Sequence, residues 1–117
     1  MDKILESSLL YDFYGPLLTP HQRRIFEDVR FGDLSLSEAA EEYGVSRQGI
    51  HDQLRRIDSL LAGYEEKLGL VARFTAASGI LTDMKKILVR LGSSVPDDLR
   101  EDVGSIARLT DKLEELN

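Results

Sequence analysis

Apolar residues recur at three- and four-residue intervals from one end of the chain to the other, and no segment alternates apolar and polar positions. That period belongs to helices and not to strands, so the expected fold is all-α. Residues 2–14 make the first expected helix, with Ile4, Leu5, Leu9 and Phe13 on one stripe and Gly15-Pro16 as its stop. Thr19-Pro20-His21-Gln22 opens a second. It offers a threonine cap, a proline at the first helical position and a glutamine at the capping-box position. This helix should run to about Phe31, turn Ile25, Phe26 and Val29 inward, and stop at Gly32-Asp33.

Residues 35–56 read S-L-S-E-A-A-E-E-Y-G-V-S-R-Q-G-I-H-D-Q-L-R-R. Ser35 and Glu38 form a capping box, in which the hydroxyl satisfies a free backbone N–H and the carboxylate reaches back to the cap. Gly44 supplies the left-handed conformation that ends a helix. Ser46 is a second N-cap. Leu36, Ala39, Ala40, Tyr43, Val45, Ile50, Leu54 and Ile57 then suit two helices packed around a small corner. This is the pattern of a helix-turn-helix, whose second helix enters the major groove of DNA.

From Ile50 the residues Leu54, Ile57, Leu61, Tyr64, Leu68 and Val71 follow at spacings of four and three, a heptad seam. The spacing slips at Phe74 and Ala77 and resumes at Leu81, Met84, Leu88 and Leu91. One straight helix from Ser46 to Leu91 would be about 69 Å long at about 1.5 Å per residue. Glycines at 63, 69 and 79 argue against that, and the expected break is near Ser78-Gly79, where the register is already lost. The seam reads either as a self-complementary dimer surface or, as far as Ile57, as the side that packs on the preceding helices. Gly92 to Pro96 is an expected loop, and Pro96 opens a last helix with Leu99, Val103, Ile106, Leu109, Leu113 and Leu116 along one face. The chain therefore divides into a helix-turn-helix domain, residues 1–70, and a long C-terminal helical extension, residues 71–117, expected to serve dimerisation.

Composition narrows the function. With 42% hydrophobic and 31% charged residues the chain reads as an ordinary soluble domain. It has no apolar run long enough for a membrane span and no leader pattern at its start, so the expected location is the cytoplasm. Cysteine is absent, which excludes disulfides and thiolate chemistry. His21 and His51 share no ligand spacing, so no metal and no cofactor are expected. Neighbouring acids such as Glu41-Glu42, Glu65-Glu66 and Asp97-Asp98 lie side by side on solvated helix faces. Without a nucleophile beside a base, a phosphate loop or a ligand cluster, the chain does not read as an enzyme.

The net charge of −6 opposes simple DNA binding, which depends on cations that meet phosphates. The distribution qualifies it. Arg47, Arg55 and Arg56 stand against Asp52 in residues 46–57, and Arg73, Lys85, Lys86 and Arg90 against Asp83 in residues 71–95. With Ile50, Leu54 and Ile57 inward, the second helix of the motif leaves Arg47, Gln48, His51, Asp52 and Arg55 on its free side and Arg56 toward one flank. Gln48 suits adenine and Arg47 suits guanine or phosphate. Arg55 and Arg56 suit phosphates, as do Arg23 and Arg24 on the earlier helix, although Arg55 and Arg56 have Asp52, Asp58 and Glu42 as rival partners. Gly49 lacks a side chain where the helix would come nearest the duplex. Asp52 repels phosphate and needs a cation or a cytosine amino group beside it.

Two known groups share these features. Leu18 to Leu61 resembles the fourth region of bacterial sigma factors in the order of its elements. D-F-Y-G-P-L-L-T-P-H-Q, L-S-E-A-A-E-E-Y-G-V-S-R-Q-G-I-H-D and Y-E-E-K-L are similar to the YlxM family of small bacterial helix-turn-helix proteins, over about residues 4–75. The resemblance implies a DNA-binding regulator, associated with the signal recognition particle because the genes neighbour each other. Duplex DNA is thus the expected partner, with a second copy of the chain. The rival reading is an accessory that contacts the protein or RNA of the signal recognition particle through the same scaffold.

Overall fold

Helix ends in this chain are set by side chains that answer unpaired backbone groups. A computed structural model describes residues 3–117, so the expected helix start at residue 2 and the inward side chain of Ile4 lie outside the described residues. Among the described residues six α-helices appear: α1 Lys3–Tyr14, α2 Pro20–Phe26, α3 Leu36–Tyr43, α4 Arg47–Leu68, α5 Leu70–Gly92 and α6 Arg100–Leu116. No strand occurs among the described residues. The chain forms two compact units that meet in sequence at Val71 and Ala72.

In the first unit, Thr19 and Gln22 form a complete capping box at α2, with Pro20 in the first turn. Ser35 and Glu38 form another at α3. The Ser46 hydroxyl accepts from the Gly49 N–H at 2.9 Å and starts α4. Between α3 and α4, Gly44 takes φ +67°, which would cost any other residue about 1–2 kcal/mol. The expected helix to Phe31 ends differently. After Phe26 the backbone widens into a π turn over Glu27–Phe31, closed by a bond from Gly32 N–H to Glu27 C=O at 2.7 Å.

The core gathers on one side of α4. Ile50, Leu54, Ile57 and Leu61 are at most 4% exposed. They meet Tyr14 and Leu18 of the α1–α2 region, Ile25 and Phe26 of α2, and Ala39 and Ala40 of α3. Each buried aliphatic side chain contributes roughly 1.5–3 kcal/mol. Tyr11 stacks on Phe26 with ring centres 4.8 Å apart. The heptad seam is thus an internal surface as far as Leu61, covered by α1, α2 and α3. Val71 is buried in the same core, whereas Leu68 is 53% exposed. The reading of that stretch as a self-complementary dimer surface is overturned.

The expected break near Gly79 is also corrected. Gly79 lies inside α5, and α4 ends at Gly69, which has φ +64°. What decides the position is the reception given to the new helix. Tyr14, buried in the core, donates its hydroxyl to Glu65 Oε1 at 2.6 Å and accepts from the Leu70 N–H at 3.1 Å. The same Glu65 oxygen accepts from the Val71 N–H at 2.9 Å. Two of the orphan donors at the start of α5 are therefore satisfied from α1 and α4. The register slip after Val71 follows from this restart.

In the second unit α5 and α6 run antiparallel. Asn117 Nδ2 donates to Ser78 Oγ at 3.0 Å, and Lys85 Nζ donates to Glu114 Oε1 at 2.6 Å. Leu81 and Thr110 are buried between the helices, and the Thr110 hydroxyl donates to its own Ile106 C=O at 2.8 Å.

The glycines give a test. Gly44→Ala and Gly69→Ala should each destabilise the first unit by about 1–2 kcal/mol, since both need the left-handed region. Gly79→Ala should stabilise its helix by about 0.5–1 kcal/mol, because a Cβ there meets nothing within 4 Å. Urea unfolding followed by circular dichroism measures all three. A break of α4 at Gly79 in place of Gly69 would reverse the two signs.

Candidate nucleic-acid interface

The candidate surface is the first half of α4 on the side away from its core. Arg47, Gln48, His51, Asp52, Arg55 and Arg56 are all exposed. They share α4 with Ile50, Leu54 and Ile57, whose burial fixes the rotation of the helix and so the direction of the polar side.

The carboxylates near this surface are already engaged. Asp58 takes a two-pronged bond from Arg30 of the π turn, at 3.0 and 2.6 Å, and this ties the π turn to α4. Asp52 accepts from Gln48 Nε2 at 2.9 Å, with His51 Nδ1 at 3.8 Å. Among the described residues no salt bridge involves Arg47, Arg55 or Arg56. Pairing of Arg55 and Arg56 with Asp52 or Asp58, the rival reading of the sequence, is not what forms. Gln48 is not a free reader, because its amide must leave Asp52 before it can meet a base.

Gly49 has a role in the cap as well: its N–H donates to Ser46 Oγ, and an added Cβ would sit 3.2 Å from that oxygen. The glycine therefore serves the cap of α4.

Arg23 and Arg24 are exposed but are not part of the α4 cluster. The Tyr11 hydroxyl beside Arg23 raises its pKa above the ordinary guanidinium value, with Glu27 adding to the effect. Arg24 lies near Tyr43. The α2 residues that do approach α4 are others: Thr19, His21 and Gln22 line an open cleft with Gln53 and Arg56. Reasoning along the sequence missed His21, Gln22 and Gln53 here. Their only signal was the requirement that α2 pack across α4.

Tyr43 holds α3 to the π turn by donating to Asp28 Oδ2. That bond, with burial, pushes its pKa up to about 12. His21 packs edge-on against the Tyr43 ring at 5.8 Å. Burial and the bond to Glu65 also raise the Tyr14 pKa, and burial and the bond to Glu27 raise that of Tyr11. Among the described residues no group of acids and histidines is placed to hold a metal ion, and no helix is long and apolar enough to cross a membrane.

A family model described as "Putative helix-turn-helix protein, YlxM / p13 like", the UPF0122 family, matches residues 1–96. The chain belongs to this family. It is 38% identical to a UPF0122 protein of Desulforamulus reducens over 117 residues, which is 99% of this chain and all of the relative. A UPF0122 protein of Thermoanaerobacter sp. is 44% identical over 118 residues, 99% of this chain and 97% of the relative. One from Caldanaerobacter subterraneus is 53% identical over 72 residues, 62% of each chain. The family is described as a helix-turn-helix family, and in this chain α3, the turn at Gly44 and α4 form that motif.

The three tyrosines predict alkaline behaviour. Folding keeps these phenols protonated above the ordinary pKa of 10.0. The folded chain then binds more protons than the unfolded chain, so their stabilisation is complete below about pH 10 and is lost as the pH rises toward 12. Tyr43→Phe should make the decline in stability between pH 10 and 12 shallower by up to about one proton. Urea midpoints measured at pH 8, 10 and 11.5 check it; an unchanged decline would remove Tyr43 as a contributor.

Proposed function

We propose that the chain binds duplex nucleic acid through the free side of α4, as a DNA-binding regulator in the cytoplasm. One observation carries this reading. A rigidly held, Ser46-capped helix presents Arg47, Arg55 and Arg56 to water without carboxylate partners among the described residues. In the usual docking of such a motif, the first turns of the second helix meet base edges while its flanks meet phosphates. Arg47 and Gln48 occupy the first turn, Arg55 is two turns on, and Arg56 turns toward α2, where Gln22 and His21 extend the polar rim. Arg47 and Gln48 are the base-reading candidates; Arg55 and Arg56 are the backbone contacts. Arg23, beside Tyr11, and Arg24, near Tyr43, are exposed on α2 and remain candidates for backbone contacts.

A second reading is favoured by Asp52 in the middle of the surface and by the net charge of −6. In it the same scaffold contacts the protein or RNA of the signal recognition particle, the association that the family resemblance implies. A basic protein surface would use Asp52, whereas a nucleic acid would be repelled by it.

Asp52→Asn separates the two, since it removes one charge and leaves Gln48 an oxygen to bond. On the nucleic-acid reading it should tighten binding to duplex DNA several-fold at low salt. Arg55→Ala and Arg56→Ala should each flatten the dependence of log K on log salt by about 1. Arg47→Ala with Gln48→Ala should reduce discrimination among sequences recovered from a random duplex pool. Fluorescence anisotropy against salt measures these quantities. Binding that Asp52→Asn weakens, or that the arginine variants leave untouched, would exclude DNA as the ligand of this surface.

A further inference from the structure

The second unit leaves one broad side uncovered. On α5, Ile80, Ile87 and Leu91 are 61%, 52% and 43% exposed. On α6, Ile106, Leu109, Leu113 and Leu116 are 48%, 60%, 52% and 85% exposed. At 3.6 residues per turn each set falls on one side of its helix, about a quarter-turn from that helix's buried residue, Leu81 on α5 and Thr110 on α6. Because α5 and α6 are antiparallel and turn these buried sides toward each other, both stripes open to the same side of the hairpin. The opposite side is mixed: Lys85 is held between Glu114 at 2.6 Å and Asp111 at 3.7 Å, and Val89 is the one large exposed apolar residue beside them among the described residues. The bonds of Asn117 to Ser78 and of Lys85 to Glu114 set the register of the pair. They put Ile80 level with Leu116, Ile87 with Leu109 and Leu91 with Ile106.

We propose that this side is a homodimer interface, in which two hairpins close on each other as a four-helix bundle with each α5 against the α6 of the other copy. Three observations select a second copy as the occupant. Seven large apolar side chains, 43–85% exposed, present an area on the order of the ~800 Å² per partner that a standard interface buries. The stripes lie level in matched layers, so the surface is self-complementary under a two-fold axis parallel to the helices. The charges also fit this arrangement. Apart from Lys85 and Glu114, which pair within one copy, Arg73, Lys86 and Arg90 against Asp83 give α5 a net +2, while Glu101, Asp102, Asp111 and Glu115 against Arg100, Arg108 and Lys112 give α6 a net −1. Pairing α5 with the other copy's α6 sets opposite signs side by side. The interface does not depend on what the α4 surface binds. It replaces the heptad seam as the site of dimerisation, since that seam is consumed by the core of the first unit.

Light scattering on the full chain at tens of micromolar should give about twice the 13.2 kDa protomer mass. Ile87→Glu with Leu109→Glu should give the protomer mass with unchanged helical circular dichroism, because both side chains are exposed within one copy. The dimer dissociation constant should rise by on the order of 100-fold or more, because each change buries an unpaired carboxylate. Lys85→Ala, on the opposite side, should leave the dimer intact. The chain has no cysteine, so Ile87→Cys and Leu109→Cys chains can be mixed under oxidising conditions. The mixture should cross-link more than either chain alone. A monomeric native chain, a dimer that survives the double glutamate variant, or cross-linking no greater in the mixture than in the separate chains would overturn the proposal.

Discussion

Helix α4 has one side to give to the core, and that constraint organises the first unit. Ile50, Leu54, Ile57 and Leu61 are sealed by side chains from three other helices. Rotating α4 by about a quarter-turn would bring His51 or Arg56 toward Ile25, Phe26 and Ala39, whose side chains offer neither of them an acceptor. Burying a charge without a partner costs several kcal/mol, more than any single cap contributes. The direction of the polar side is therefore fixed by the apolar one. Ser46 fixes where that side begins, and Gly44 lets α3 end close enough for Ala39 and Ala40 to pack beneath it.

The far end of α4 is fixed by a different chemistry. Tyr14 is a core residue by burial, yet its hydroxyl has two polar duties, to Glu65 and to the Leu70 N–H. Buried polar atoms left unpaired cost about 1–3 kcal/mol, so this cluster must close completely if it is to form. It does so by making α4 stop and α5 start at one place. The aromatic at the end of α1 thereby decides where a helix some fifty residues later ends. The π turn works similarly on the other flank: Asp28 takes the Tyr43 hydroxyl and Arg30 takes Asp58, so this widened turn joins α3 and α4.

These two kinds of constraint explain what the sequence disclosed. Thr19 with Gln22, Ser35 with Glu38, Gly44 and Ser46 each act within four residues of the group they satisfy, and all four were legible. The choice between Gly69 and Gly79 was not local. Both glycines tolerate a break; only Gly69 has Tyr14 and Glu65 waiting for the freed N–H groups. Likewise the heptad seam announced an apolar stripe without naming what would cover it. On the candidate surface, the burial pattern of α4 was enough to select Arg47, Gln48, His51, Asp52, Arg55 and Arg56 as its outward residues. The pairing among them was hidden. Asp52 could have met Arg55 or Arg56 and instead takes Gln48 four residues back, and Arg23 turns to a tyrosine on α1. The last helix misled in another way. Its longest apolar stripe is not its buried one: Thr110 is 1% exposed, whereas Ile106, Leu109, Leu113 and Leu116 are 48–85% exposed.

Net charge is a weak guide to what such a chain can bind, because a polyanion responds to the cations that are left over. Arg30 and Lys85 are neutralised in place by Asp58, Asp111 and Glu114. Those acids are equally removed from the field that an approaching phosphate meets at a Debye length of about 8–10 Å. Around the start of α4 the remaining balance is three arginines against one aspartate that is itself hydrogen-bonded. So small a cluster neutralises few phosphates, and its affinity must fall quickly with salt. A protein built this way gains from presenting the cluster twice. Two copies held together turn the second contact into an intramolecular event whose effective concentration no longer depends on that of the protein. An acidic chain with a modest basic surface and a separate apolar hairpin is therefore consistent physically: in the proposed dimer the hairpin would supply by multiplicity what the arginines cannot supply by number.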